Sequence, residues 1–170
     1  MKYLGALLVI VAGAGFGLCK QAQLWLRAQT LSALTAAIEL MHSEIMDRLT
    51  PIPELAKRME QTAPQQVRGF FHRLDEQLSF LGENELPALW EQAVAASPEL
   101  CLNEAERTEL CTLGATLGRF GAQEQGGALV RCKRFFEKQA EAARATALET
   151  GRMYFGLGTG AGLIVAIMLL

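Results

Sequence analysis

Lys20–Leu55, KQAQLWLRAQTLSALTAAIELMHSEIMDRLTPIPEL, is the stretch on which the fold turns. Leu24, Leu31, Leu34, Ile38, Met41, Ile45 and Leu49 recur at threes, fours and one seven, which draws an apolar stripe along one side of a single long helix. The stripe stops at Thr50-Pro51-Ile52-Pro53. Proline disfavours helical geometry in the residue before it but suits the first turn of a new helix, so Thr50 is expected to cap a second helix with Pro51 just inside. That helix runs to about Gln61, with Ile52, Leu55 and Met59 on its apolar face.

Downstream the same period persists. After Ala63-Pro64, the residues Val67, Phe70, Phe71, Leu74, Leu78 and Leu81 form a buried face opposite Arg68, Arg73, Asp75 and Glu76, and Gly82 is placed to end the helix. A shorter helix carries Leu86, Leu89, Trp90 and Val94 and closes at Ser97-Pro98. Asn103 and Glu106 have the spacing of a capping box, opening a helix with Leu110, Leu113 and Leu117 on its stripe. Gly118 and Gly121 mark a break, and from about Ala122 the rhythm of Leu129, Cys132, Phe136, Ala140, Ala143 and Ala147 reads as helix to the end. No segment alternates with period two over β-branched residues, so the class is all-α: a six-helix bundle with long first and last helices.

Upstream of the stripe, Tyr3 to Cys19 is uncharged and apolar, and so is Met153 to Leu170. A span of about 30 Å of hydrocarbon needs roughly twenty apolar residues at ~1.5 Å each. Both runs reach it if Lys2, Lys20 and Arg152 sit at the interfaces. The expected organisation is therefore a transmembrane helix over 1–19, a helical bundle over 20–152 and a second transmembrane helix over 153–170, the bundle's outer helices continuing into the bilayer. The first run also fits a signal peptide, with Lys2 as its basic start and Ala12-Gly13-Ala14 as a small-residue cleavage site. Arg131, Lys133, Arg134, Lys138, Arg144 and Arg152 precede the second run and no charged side chain follows it. The positive-inside rule then puts the bundle in the cytoplasm and both termini on the opposite side.

Little catalytic chemistry is on offer. The formal net charge of −2 gives no electrostatic case for nucleic acid. His42 and His72 are the only histidines and neither has a second histidine or a cysteine at helical spacing, so no metal or acid-base site is expected. No glycine-rich loop ends in Gly-Lys-Ser or Gly-Lys-Thr, so no nucleotide cofactor is expected. Cys19, Cys101, Cys111 and Cys132 share no CxxC spacing and read as small buried apolar groups. The glycines of the last run, Gly156, Gly158, Gly160 and Gly162, fall four apart in pairs, as Gly13 and Gly17 do in the first. In membrane helices such spacing lets a neighbouring backbone approach closely; it also occurs where glycine is merely tolerated.

The order of motifs is distinctive: Leu31-x-x-Leu34 leading to Glu44-Ile45, Thr50-Pro51-Ile52-Pro53-Glu54-Leu55, Phe70-Phe71, Trp90, Leu117-Gly118-Arg119 with Gln125, and a glycine-rich last run opening Tyr154-Phe155-Gly156. Over essentially the whole chain this resembles the stage III sporulation protein AB family of endospore-forming bacteria. After Leu117-Gly118-Arg119 that family usually carries a small polar residue and an aspartate, where this chain has Phe120 and Gly121. The resemblance implies a non-enzymatic platform in the mother-cell inner membrane facing the forespore, part of the channel between the two cells. It implies a bundle similar to the cytoplasmic domains of type II secretion and type IV pilus platform proteins, and a secretion-type ATPase as partner. Exposed charges at the two turns, Arg119 and Glu54, are then the candidate ATPase contacts. Beside this stand a membrane-anchored scaffold or sensor for another regulatory partner and a membrane-bound enzyme, and self-association is compatible with each.

Overall fold

The computed structural model describes the backbone of residues 2–117 and 121–169, and the side chains of residues 22–117, 121 and 123–150. Six α-helices follow one another among the described residues: α1 (Lys2–Met46), α2 (Ile52–Thr62), α3 (Gln65–Leu78), α4 (Leu86–Ala95), α5 (Glu104–Leu117) and α6 (Ala122–Leu169), with a 3-10 turn at Pro98–Leu100 between α4 and α5. No strand occurs among them, only an isolated bridge from Leu81 to Asn84. The all-α expectation holds. Two compact units can be distinguished, one of residues 29–140 and one formed by residues 1–28 with 141–170.

Within the 29–140 unit the stripes meet as their spacing requires. Leu31, Leu34, Ile38, Met41 and Ile45 of α1 are buried, as are Leu55 and Met59 of α2, Val67, Phe70, Phe71, Leu74 and Leu78 of α3, Leu89, Trp90 and Val94 of α4, and Leu110, Leu113 and Leu117 of α5. Phe70 meets Phe71 and Trp90 edge to face, at 5.0 and 5.4 Å between centroids. The Trp90 indole N–H donates to the Leu110 carbonyl at 2.9 Å. The ring lies directly against Gly114, where a β-carbon would come within 2.2 Å of the indole Cγ. α5 opens on a complete capping box: the Glu106 N–H donates to Asn103 Oδ1 and the Asn103 N–H to Glu106 Oε2, both at 2.8 Å.

α1 and α6 run antiparallel with a definite register. A β-carbon on Gly126 would meet the Met46 sulfur at 2.6 Å, and Lys133 Nζ lies 3.0 Å from Glu39 Oε1. That carboxylate holds the Lys133 ammonium above its ordinary pKa, chiefly by the hydrogen bond.

Four expectations need correction. Thr50 does not cap α2; Pro51 occupies that position, Pro53 lies in the first turn, and the Thr50 hydroxyl donates to Glu44 instead. Leu49 and Leu81 leave the stripes, because the chain has already turned: Leu49 adopts φ 53° and is 70% exposed, and Leu81 lies beyond the end of α3 and is 45% exposed. Gly82, at φ 113°, serves the turn after α3 rather than its last helical residue, which is followed by Ser79. Cys101 is exposed and Cys111 half-buried, so among the described cysteines only Cys132 is the buried apolar group expected.

Among the residues whose side chains are described, no helix is long and apolar enough to cross a membrane. The two terminal apolar runs lie outside those residues, as do the surroundings of Gly13, Gly17, Gly156, Gly158, Gly160 and Gly162.

Candidate partner-docking site

The turn from α1 to α2 is built as a helix-ending wrap. The Thr50 N–H donates to the Glu44 carbonyl at 3.0 Å across a left-handed Leu49, one residue wider than the six-to-one bond of a Schellman motif and with leucine where glycine is usual. This wrap returns Thr50 to the Glu44 side chain, whose Oε2 accepts from the Thr50 hydroxyl at 2.9 Å. The same carboxylate takes Arg48 Nη1 at 2.8 Å and Arg58 Nη1 at 3.4 Å, and its side chain is only 17% exposed. Arg58 in turn places Nη2 and Nε on Glu54 Oε1, at 2.8 and 3.2 Å. The hydrogen bond to Glu54, then the field of Glu44, raise the Arg58 guanidinium above its ordinary pKa, so it is charged throughout the accessible range.

Glu54 is thus not a loose surface charge. It sits in the first turn of α2, where a carboxylate suits the helix dipole, and is braced four residues on by Arg58. The braced pair, with Glu44 behind it, presents alternating charges on a turn whose backbone is fixed. The sequence reading singled out Glu54 and missed Glu44 and Arg58. The Glu54-to-Arg58 spacing could have revealed the second; only the wrap at Leu49 reveals the first.

The turn from α5 to α6 is tied in a related way. Gln125 Nε2 donates to the Leu117 carbonyl at 2.9 Å, and the N–H groups of Glu124 and Gln125 donate to the Gly121 carbonyl. Arg119 itself lies outside the described residues. Because the last turn of α1 packs at Met46 over Gly126 in the first turns of α6, both tied turns lie at the same end of the 29–140 unit.

Other reactive side chains have bland surroundings. Burial, with Glu109 adding to it, pushes the Cys132 thiol up to about 12, and burial, then Glu91, raises that of Cys111, so neither is a thiolate nucleophile near neutrality. His72 is exposed between Glu60, 3.0 Å from Nδ1, and Glu76, 3.5 Å from Nε2. Among the described residues no three His, Cys, Asp or Glu side chains converge as a metal site would. A cleft of about 300 Å³ opens between α1 and α6, lined by Ile38, Glu39, His42, Leu129, Val130, Lys133, Arg134 and Glu137.

Comparison with known proteins bears on the family and the fold. The family model described as stage III sporulation protein AB (spore_III_AB) matches residues 2–170. Stage III sporulation protein AB of Bacillus subtilis (strain 168) is 27% identical over 175 residues, covering 100% of this chain and 99% of that protein. The solved structure of stage III sporulation protein AB (SpoIIIAB) shares the fold with a TM-score of 0.65 at 23% identity, over 72% of this chain and 97% of that one. With its family model matched from residue 2 to residue 170, the chain belongs to the stage III sporulation protein AB family.

Proposed function

We propose that the chain is a non-enzymatic platform of the channel between mother cell and forespore, anchored by both ends in the mother-cell inner membrane, with its bundle in the cytoplasm. There it couples a secretion-type ATPase to the membrane complex. Family membership across residues 2–170 is the observation that carries this reading. Two features support it. The ionic residues of the α1–α2 turn are spent on bracing one another rather than arranged around a substrate-sized pocket. The α5–α6 turn is tied at the same end of the unit as the α1–α2 turn, where Glu54 lies, so that end offers two neighbouring turns to one partner.

Co-purification of the ATPase from sporulating cells tests the reading. Arg119→Glu should reduce ATPase recovery about tenfold or more while leaving folding intact, the loss of one well-placed interfacial charge. Glu54→Gln keeps an acceptor for Arg58 but removes the charge, so reduced recovery with unchanged thermal unfolding would mark Glu54 as a docking residue. Absence of the ATPase from wild-type complexes would sink the adaptor reading. Full recovery with both variants would remove only these two residues from it. For the topology, an impermeant thiol reagent applied to intact mother cells should label a cysteine added after Leu170 and spare one at Glu104→Cys; the opposite pattern would reverse the orientation.

A further inference from the structure

Two large apolar side chains, Trp25 and Leu26, stand out from α1 a short way past the first apolar run, on a helix that is continuous from Lys2 to Met46. Ala28 and Leu31 are buried, but Trp25 keeps 36% of its surface exposed and Leu26 56%. Leu49 and Phe80 are exposed as well, so exposure by itself decides nothing. Height along the helix does. The run from Tyr3 to Cys19 rises about 25 Å at ~1.5 Å per residue, and a hydrocarbon core of about 30 Å centred on it reaches roughly 2–3 Å past either end. From Cys19 to Trp25 the helix climbs another ~9 Å, which sets the Trp25 backbone roughly 6 Å beyond the hydrocarbon, within the headgroup layer of ~5–8 Å on that side. Side chains of a helix lean toward its N-terminus, and the N-terminus of α1 is the end that carries the run. Trp25 and Leu26 therefore lean back toward the acyl chains.

Charge agrees with that height. The first carboxylate of the chain is Glu39, and before it stand only Lys2, Lys20 and Arg27. A stretch without acids, with basic side chains on either side of Trp25, suits a layer of lipid phosphates. α6 differs. Leu148 is 53% exposed at a comparable distance before Met153, but α6 reaches its apolar run at its C-terminal end, so Leu148 leans the other way, and Glu141 and Glu149 accompany Arg144 and Arg152 there.

We propose that Trp25 and Leu26 form a lipid-contact surface seated at the boundary between headgroups and acyl chains, which stops α1 at a fixed depth in the bilayer. The apolar body of the indole meets the upper acyl chains while its N–H faces the phosphate and carbonyl groups, the division for which tryptophan is enriched at membrane interfaces. The proposal rests on the membrane-anchored reading of the chain ends.

Tryptophan fluorescence of the full chain in phosphatidylcholine vesicles tests it. Trp25 and Trp90 are the two tryptophans, and Trp90 is buried against Gly114, so the lipid response of Trp25 follows by difference from Trp25→Phe. With lipid brominated near the top of its acyl chains, wild type should lose most of the emission that Trp25→Phe removes, while Trp25→Phe should lose little; bromines near the methyl ends should quench Trp25 less. Gln29→Trp in the Trp25→Phe background, ~6 Å farther along α1 at an exposed position, should escape quenching. Helical circular dichroism should be the same in all three proteins. A chain that does not float with the vesicles would overturn the membrane-anchored reading and this proposal with it. A chain that floats, but in which wild type and Trp25→Phe lose the same fraction of their emission, would overturn the proposal alone. Strongest quenching from the methyl-end bromines, or quenching at position 29 equal to that at position 25, would overturn the depth it assigns.

Discussion

Leu49 is held in a conformation in which its own β-carbon crowds the following carbonyl. At φ 53° a leucine costs about 1–2 kcal/mol relative to a right-handed residue, and with 70% of its surface in water it recovers little by burial. Leu49→Gly should therefore stabilise the bundle by about 1 kcal/mol, part of the gain being offset by the greater freedom of glycine in the unfolded chain. Thermal unfolding followed by circular dichroism would show it, and a lowered midpoint would mean that the side chain has packing worth more than its strain. Gly114 gives the opposite case. Gly114→Ala must displace the Trp90 ring and its hydrogen bond to Leu110, an overpacking cost of about 2–3 kcal/mol. Cys132 supplies a pH test. Folding raises its pKa to about 12 by burial, so the stabilisation is whole below the unfolded thiol's pKa of about 8.5 and is lost as pH climbs through about 12. In native protein near pH 8, a thiol reagent should modify exposed Cys101 readily and reach Cys132 only after denaturation.

Among the elements, α5 depends most visibly on its first turn. Asn103→Ala should cost about 1 kcal/mol by releasing the Glu106 N–H, and chemical denaturation would register it as a lower midpoint with unchanged slope. This capping box was legible because its partners are three residues apart and local. The stripes of α3, α4 and α5 were legible for the same reason: a 3.6-residue period shows in the order of Phe70, Phe71 and Leu74 or of Leu110, Leu113 and Leu117 before any tertiary contact is known. Periodicity cannot show where a helix stops, which is why Leu49, itself left-handed, and Leu81, three residues past the end of α3, read as continuations of their stripes. The docking site was half legible. Glu54 follows from its place at a proline-marked turn, but the Glu44 carboxylate enters only through the six-residue wrap that brings Thr50 back to it, and Arg58 joins through both. The cleft between α1 and α6 depends on helices far apart in the chain and left no local signature.

At the scale of the molecule, helices α2 to α5 pack in order on their chain neighbours, α2 on α3, α3 on α4 and α4 on α5, whereas α1 finds α6. During synthesis this order matters. The middle helices can pair as they emerge, but the Leu31-to-Ile45 stripe waits for Leu129, Cys132 and Phe136, roughly ninety residues later, which at ~5–20 residues per second is several seconds or more. Over that interval the α1 stripe is without its α6 partner. A nascent chain stalled before residue 122 should accordingly be bound by chaperones and cut by proteases, while one released beyond about residue 140 should resist both; the last helix to leave the ribosome is the one that makes the first helix safe.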